Sequence, residues 1–277
     1  MSKKKKKLII MTVILLITVL LYIWGYALKV TSYSIKSDKI KNGLKIVFIS
    51  DLHNCFFGGS DQSRLIEEID SANPDIVIFG GDVVDMSGGT KHAETIMKYS
   101  AENYPSFYTP GNHEKIRGDM RSFCKTAASL GVTVLDNDYA QLEVNEQPIR
   151  LYGVIDALSA DITFDDNDKN ATALDDNYYN ILLLHQPEQY SYYTESSSSF
   201  DLILSGHAHG GQWRIPVILE QGLYAPEQGL FPERTNGMFR QGNTTQIISK
   251  GLAKPLRMIF IPRIFNRPEF TIIDISN

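Results

Sequence analysis

The chain has 277 residues, of which 43% are hydrophobic and 21% are charged, and its formal net charge is −5. This length allows one large α/β domain or two small ones, and the composition is that of a globular protein. Five consecutive lysines occupy residues 3–7, so the rest of the chain is more acidic still. An acidic body excludes a broad nucleic-acid-binding surface, which needs basic residues to neutralise phosphates.

The N-terminal region joins a basic segment, residues 1–7, to an uncharged apolar segment, residues 8–28. A helix of about 20 apolar residues crosses a bilayer. We predict a single-pass anchor at 8–28 in the cell membrane. Residues 1–7 are expected to be cytoplasmic and the remaining chain extracytoplasmic, because lysines that flank a membrane span stay on its cytoplasmic side. A cleaved signal peptide, with Gly25 and Ala27 as its small pair, is the alternative. Secretory apolar regions are usually only about 7–15 residues long, which favours the retained anchor.

After a linker or first strand at 29–43, we assign residues 44–277 to one folded domain, because no composition change divides them. Its organising pattern is a short apolar run that ends in a polar cluster. Runs of this kind suit strands buried on both faces. They are KIVFIS (45–50) before DLH, DIVIFG (75–80) before GD, SFYTP (106–110) before GNHE, NILLL (180–184) before HQPE, and FDLILS (200–205) before GHAH.

Helical periodicity lies between several of these runs, at 63–72, 91–101 and 118–130. Ser60 or Asp61 is expected to cap the first helix, and Gly131 to end the third. The alternation predicts an α/β fold with mainly parallel pairing at its start. Sites in such sheets form at the carboxyl ends of the strands, so all five polar clusters are expected at one rim.

These clusters contain five of the six histidines in the chain. Any one of these residues has an ordinary explanation as a turn former, a cap or a core histidine, but all of them together do not. The candidate site residues are Asp51, His53, Asp82, Asn112, His113, His185, His207 and His209.

The donor atoms of this set are imidazole nitrogens and carboxylate or amide oxygens, which suit Mn, Fe, Zn or Co. Cys55 and Cys124, the only cysteines, form no CxxC metal motif and are interpreted as free thiols. A set of at least seven possible ligands is too large for one tetrahedral ion and is enough for two ions. A pair of metals roughly 3.5–4 Å apart activates water against a phosphoryl group.

The segment LSGHAHGG, residues 204–211, brings two of these histidines within one residue of each other. We expect His207 and His209 to project to one side of an extended backbone. The adjoining glycines, Gly206, Gly210 and Gly211, remove Cβ crowding and permit a positive φ.

Together, the motifs D-x-H (51–53), G-D (81–82), G-N-H-E (111–114), His185 and G-H-x-H (206–209) resemble the signature of the calcineurin-like metallophosphoesterases. The resemblance covers about residues 44–209 and implies a sandwich of two mixed β-sheets flanked by helices. HQPE, GHAHGGQW and GLAKPLRMIFIPRIFNRPEF are further similar to a bacterial membrane-associated subgroup. That subgroup includes phosphodiesterases and UDP-2,3-diacylglucosamine pyrophosphatase-like enzymes.

The resemblance also implies a role for each site residue. One metal would be held by Asp51, His53, Asp82 and His209. The other would be held by Asp82, Asn112, His185 and His207, with Asp82 bridging. His113 would face the substrate as the catalytic acid instead of binding metal.

The expected activity is hydrolysis of a phosphodiester or pyrophosphate bond by a metal-bridging hydroxide, with two divalent ions as cofactors and manganese favoured. The substrate is a phosphate ester that the sequence leaves open, with lipid-linked pyrophosphates, glycerophosphodiesters, nucleotides and cell-wall phosphodiesters among the candidates. The sequence also leaves the oligomeric state open. Alternatives are a dinuclear hydrolase of amide bonds and a membrane-tethered metal-binding scaffold without turnover.

The C-terminal stretch carries five cations among apolar residues: Lys250, Lys254, Arg257, Arg263 and Arg267. We interpret them as exposed charges on strands. The alternative is a groove that meets lipid headgroups near the anchor.

Overall fold

The computed structural model describes residues 2–155, 174–194, 200–215, 217–255 and 263–277. Helix α1 (Lys3–Tyr26) leads the chain, and the apolar side chains described between Leu8 and Trp24 are exposed. With a mean hydropathy of 2.7 in its most apolar stretch, it is long and apolar enough to cross a bilayer, judged by length and composition alone. Part of the C-terminal stretch, residues 256–262 with Arg257, lies outside the described residues.

Two mixed β-sheets form the body within the described ranges, which confirms the predicted sandwich. The order in the first sheet is β1 (Lys29–Lys36), β14 (Glu269–Ser276), β2 (Leu44–Ile49), β3 (Ile76–Gly80), β4 (Ser106–Thr109) and β5 (Thr133–Val134). From β2 to β5 the pairing is parallel, whereas β14 is antiparallel to β2.

The second sheet contains β12 (Gly237–Gln241), β13 (Thr244–Ile248), β9 (Leu202–Ser205), β8 (Tyr179–Leu184), β7 (Gln147–Val154) and β6 (Asp138–Val144) in that order. Its four inner strands are parallel, and both edge strands are antiparallel to their neighbours. A small hairpin of β10 (Tyr224–Ala225) and β11 (Gly229–Leu230) lies outside both sheets.

Alternating side chains divide the core into layers. On β2, Ile46 and Phe48 face the second sheet, while Val47 and Ile49 face the helices, as the two-residue period of a strand requires. Helices α2 (Ser63–Ala72), α3 (Lys91–Asn103) and α5 (Met120–Ser129) cover the outer face of the first sheet. Both faces of these strands are buried, which explains why their sequences are continuous apolar runs.

The three predicted helices are present, but two details differ. Gln62 occupies the N-cap position of α2 without a side-chain cap bond, while the carboxylate of Asp61 accepts from Ser63 N at 3.2 Å. Gln62 adopts a left-handed backbone (φ 61°), and its buried amide accepts from Phe57 N and donates to the carbonyl of Cys55.

The third predicted helix, 118–130, is present as α5, but the structure adds a helix before it. A short helix, α4 (Asn112–Arg117), precedes α5 and ends at Gly118, whose φ is 81°. Asn112 and His113 therefore lie in the first turn of a helix, where the sequence indicated only a polar cluster. Gly131 follows α5 with a φ of 95°, in agreement with its predicted role.

The expectation of a single rim is wrong in one respect, because the five polar clusters come from two sheets. Strands β2, β3 and β4 end on the first sheet, while β8 and β9 end on the second. The carboxyl ends of the two parallel sets meet. The site therefore lies where the rims of both sheets join.

Two of the C-terminal cations are buried, so the interpretation as exposed charges is wrong for them. Lys250 is 7% exposed and pairs with Glu269, at 2.6 Å between Nζ and Oε2. Arg263 is 5% exposed and donates to the carbonyl of Lys250. Lys250 connects the segment after β13 to the start of β14, and Arg263 ties the segment before β14 to the carbonyls of residues 250 and 251.

We expect Lys250→Met to lower the free energy of unfolding by about 3 kcal/mol, because it leaves the Glu269 carboxylate buried without its cation. Urea unfolding in detergent measures this value. The double variant Lys250→Met/Glu269→Gln should recover part of the loss. Lys98→Met, in an exposed pair with Glu102, should change stability by less than about 1 kcal/mol. Equal losses in both lysine variants would contradict the interpretation.

Candidate metal centre

Asp82 occupies the middle of the cluster. It follows β3, is buried, and its Oδ2 lies 3.2 Å from His185 Nε2. The same oxygen lies 3.9 Å from His53 Nε2 and 3.8 Å from His113 Nε2. One carboxylate oxygen is thus surrounded by three imidazoles from three different loops.

Asp51 occupies a corresponding position after β2. Its Oδ1 lies 3.8 Å from His209 Nε2 and 4.0 Å from His185 Nε2. Ligand atoms that lie within 4.8 Å of one another group Asp51 with His53 and His209. A second such group contains Asp82, His185 and His207. The paired histidines of the GHAH segment therefore face different carboxylates.

Backbone N–H groups fix one oxygen of each aspartate. His113 N donates to Asp82 Oδ1 at 2.9 Å, and His207 N donates to Asp51 Oδ1 at 2.9 Å. The second bond crosses from the first sheet to the second. Each carboxylate is thereby oriented by the neighbouring loop, and its other oxygen, Oδ2, is left for another partner.

The loops adopt backbone conformations that side chains other than glycine rarely take. Asp51, His53, Asp82, His207 and His209 all have φ between 47° and 64°. The expected extended backbone at the paired histidines is therefore wrong. Such left-handed residues cost free energy and cluster at functional sites, where the surrounding structure holds them in place.

Three glycines allow the loops to approach one another. A Cβ on Gly111 would lie 2.3 Å from Asp82 Oδ1, and one on Gly206 would lie 2.4 Å from Asp51 Oδ2. A Cβ on Gly81 would lie 2.5 Å from His185 Nδ1. Gly206 is thus required for close approach and not for a positive φ, unlike Gly210 and Gly211.

The cluster contains buried polar atoms without a hydrogen-bond partner among the described residues. Burying such atoms is costly unless something pairs with them. They are Asp51 Oδ2, both ring nitrogens of His53, Asp82 Oδ2, Asn112 Oδ1 and His185 Nε2. His185 Nδ1 lies 2.8 Å from the carbonyl of Gly80, to which it donates, so Nε2 is the ring nitrogen turned toward the carboxylates. These oxygen and nitrogen donors fit borderline divalent cations.

Charge within the cluster shifts the pKa values of its members. Burial raises the pKa of Asp82, but the imidazoles of His185, His113 and His53 outweigh burial and hold it well below its ordinary value. Burial, together with the nearby Arg263 guanidinium, holds the pKa of His209 well below its usual value. Asp82 is therefore anionic and His209 neutral, the states in which they can bind a metal.

His113 differs from the other histidines because it is partly exposed. Its Nδ1 lies 2.9 Å from Asp85 Oδ1, and its ring packs edge-on against His53 at 4.5 Å between centroids. Burial lowers the pKa of His113, but the bond to Asp85 and the charge of Asp82 outweigh it, so the pKa is raised. Asp85 orients the ring and favours its protonated form. The sequence motifs do not indicate this role.

Glu114 is the second residue whose role the sequence did not indicate. It is fully buried, and its carboxylate accepts from the backbone N–H groups of Asp82 (3.0 Å), Val84 (3.0 Å) and Gly111 (2.8 Å). It thereby ties the loop after β3 to the loop after β4. Its position beside Asn112 and His113 in GNHE was the available signal.

We expect Glu114→Gln to weaken metal binding about 10- to 100-fold, the usual effect of removing a residue that orients a metal ligand. The amide that replaces one oxygen would face a backbone N–H and repel it. Calorimetric titration with Mn²⁺ measures the affinity. Glu67→Gln, at a 64% exposed side chain on α2, is the matched control. An unchanged affinity for Glu114→Gln would remove Glu114 from the site.

Two further carboxylates stand at the open side of the cluster. Glu227, on the β10–β11 hairpin, places Oε2 2.5 Å from His207 Nε2, and Glu188 belongs to the same group of possible ligands. Glu188 comes from the HQPE motif, whereas Glu227 lies in a segment without a recognisable motif. The ligand atoms of both carboxylates lie within 4.8 Å of that of His207.

All eight sequence-predicted site residues lie at the joined rims. Asn112 is half-buried at the start of α4, and its Oδ1 has no hydrogen-bond partner in the described part of the chain. The sixth histidine, His92, lies apart from the cluster on α3, where its ring packs against Phe56.

A sandwich of two mixed sheets with histidines and aspartates gathered at its joined rims is typical of metal-dependent hydrolases. The profile of the calcineurin-like phosphoesterases matches residues 44–211, more than half of the chain, and the chain belongs to that family. It is therefore a hydrolase of phosphate esters, and the family and enzyme class predicted from the motifs are confirmed.

Similar proteins come from bacteria and an animal. The uncharacterized metallophosphoesterase YkuE of Bacillus subtilis is 27% identical over 92% of this chain and 88% of its own length. Phosphodiesterase YaeI of Escherichia coli is 28% identical over 83% of this chain and 82% of its own. A transmembrane protein with metallophosphoesterase domain from Danio rerio is 27% identical over 71% of this chain and 49% of its own.

Proposed function

We propose that the chain hydrolyses a phosphodiester or pyrophosphate bond of a membrane or cell-envelope substrate, with two divalent metal ions as cofactors. The observation that carries the proposal is the position of Asp82 Oδ2, a buried oxygen without a hydrogen-bond partner in the described part of the chain, among three imidazoles. A single carboxylate in this position can serve two cations at once.

Two of the four groups of neighbouring ligand atoms support the division between metals. Asp51, His53 and His209 would hold one ion, and His185, His207 and Asn112 the other, with Asp82 shared. The distances from Asp82 Oδ2 to His53 Nε2 (3.9 Å) and His185 Nε2 (3.2 Å) support the shared role. Asn112 is included for its unpartnered, buried Oδ1.

Two bound divalent ions would activate water as the nucleophile and neutralise the phosphate oxygens, which allows an acidic protein to bind an anion. The protein residues supply the remaining steps. The carboxylate of Asp85 holds the His113 ring through Nδ1. His113 Nε2, which lies 3.8 Å from Asp82 Oδ2, would then donate its proton to the departing oxygen.

Helix α1 supports a location at the cell membrane, with Lys3–Lys7 cytoplasmic and the catalytic body extracytoplasmic. The relative from Danio rerio, described as a transmembrane protein, is consistent with an anchored member of this family. An anchored hydrolase encounters lipid-linked and envelope phosphates at high local concentration. For this reason we propose phosphodiesters or UDP-2,3-diacylglucosamine-like pyrophosphates as its substrates.

A metal and substrate panel tests the proposal. Full-length protein stripped with a chelator should lose activity on a phosphodiester, bis(p-nitrophenyl) phosphate, and regain it with Mn²⁺. Metal analysis of the active protein should find two ions per chain. Hydrolysis of a peptide amide instead would favour the amidase alternative. Two bound ions with no turnover of any phosphoester would favour the scaffold.

A further inference from the structure

Exposed apolar side chains lie beside the C-terminal end of α1, in a group that we term the apolar rim. It consists of Trp213, Ile215, Val217, Ile218, Ile264 and Phe265. Val217 is 87% exposed and Ile218 is 80% exposed, so neither contributes to the core. Contiguous exposed apolar residues of this kind mark an interaction surface.

Backbone pairing holds the two segments of the rim together. Trp213 and Ile264 form a parallel bridge, with Arg214 N donating to Ile264 O at 3.0 Å and Ile264 N donating to Gln212 O at 3.1 Å. Trp213, Ile264 and their neighbours therefore form one surface although they are distant in sequence.

The rim is continuous with the end of α1. The rings of Phe265 and Trp24 lie 6.3 Å apart, and Arg267 donates to the carbonyls of Ala27 and Leu28 at 2.9 Å and 2.7 Å. Ala27 and Leu28 are also the only residues between α1 and β1. The body is therefore held close to the helix and has no length of linker with which to move away.

The rim is joined to the metal centre as well. Asn266, next to Phe265, donates from Nδ2 to the carbonyls of His209 (2.6 Å) and Gln212 (3.1 Å). Trp213 follows directly after this loop. Whatever the rim contacts is consequently held at a fixed distance from the candidate ligands.

We propose that the apolar rim inserts into the headgroup boundary of the bilayer that α1 crosses, as a second membrane contact made by the catalytic body. The occupant is lipid because the rim adjoins a helix of bilayer-spanning length. Tryptophan and aliphatic side chains also favour this interface. Exposed Lys29 and the Arg267 guanidinium beside Trp24 would attract anionic headgroups. The proposal rests on the membrane anchoring proposed above and adds that the metal centre operates at the lipid surface.

Trp213 provides the readout, because the chain has only two tryptophans. The full-length Trp24→Phe variant is reconstituted into phosphatidylcholine–phosphatidylglycerol vesicles, with and without bromine on the acyl carbons nearest the headgroups. Brominated lipid should lower Trp213 emission about twofold or more if the ring lies in the interface. Flotation of the vesicles reports separately whether α1 anchors the chain.

Two variants in the Trp24→Phe background complete the test. Val217→Asp/Ile218→Asp changes side chains that are almost fully exposed, and should abolish the quenching while the protein still floats. Tyr139→Asp, at a 43% exposed ring on edge strand β6, should leave the quenching unchanged. Flotation without quenching of Trp213 would overturn the rim contact and leave the anchor intact. A chain that does not float would overturn the anchoring and the rim contact together.

Discussion

Asp82→Asn is expected to lower kcat/KM on a phosphodiester by about 10³-fold or more, which corresponds to about 4 kcal/mol of transition-state stabilisation. The amide keeps the size of the side chain and can still accept from His113 N through its oxygen. It removes the negative charge that three imidazoles surround and replaces Oδ2 by a group that cannot bind a cation. Steady-state kinetics at saturating Mn²⁺ measure the loss.

Metal analysis accompanies that measurement. Asp82→Asn should retain fewer than two ions per chain after dialysis, because the residue is proposed to serve both. Asp176→Asn is the matched control, since the Asp176 side chain is fully exposed and pairs only weakly with Lys39. A fully active Asp82→Asn variant with two ions would show that the carboxylate is not shared.

His113→Ala is expected to lower kcat about 10²- to 10⁴-fold, the range for loss of a general acid. Metal content should stay unchanged, because the proposed ligands do not include His113. The combination of retained metal and lost turnover distinguishes an acid from a ligand. Discontinuous assays on an alkyl phosphodiester measure kcat, and metal analysis of the same sample measures the number of bound ions.

The chemistry of the leaving group gives an independent check on His113. A p-nitrophenolate departs without protonation, so His113→Ala should lose much less activity on a nitrophenyl ester than on an alkyl ester. His92→Ala, which changes the one histidine outside the cluster, should behave as the unaltered protein. Equal losses on both esters would mean that His113 does not protonate the departing oxygen.

The sequence allowed much of the first half of the fold to be predicted, because local signals there agree. Apolar runs at 45–50 and 75–80 suit buried strands, and the period of three and four at 63–72 favours a helix packed against them. The site residues followed from the position of each polar cluster after a strand. Parallel strands bring their carboxyl ends together whatever the loops between them contain.

Long-range pairing accounts for what was not predicted. Nothing in residues 269–276 indicates that they separate β1 from β2, because strand pairing depends on partners distant in sequence. The left-handed backbones at Asp51, His53 and Asp82 are also invisible in sequence, since those residue types usually adopt ordinary φ values. The same is true of Asp85 and Glu114, which act through bonds that only the folded loops create.

The insertion of β14 between β1 and β2 has a consequence for biogenesis. Strands β1 and β2 are among the first parts of the body to leave the ribosome, yet the strand that joins them comes more than 200 residues later. Contacts of such sequence separation form slowly, because a long loop must close first. The edges of β1 and β2 that pair with β14 therefore stay unpaired until β14 is synthesised, and unpaired strand edges are prone to aggregation. We expect the chain to depend on chaperones until its final strand is synthesised.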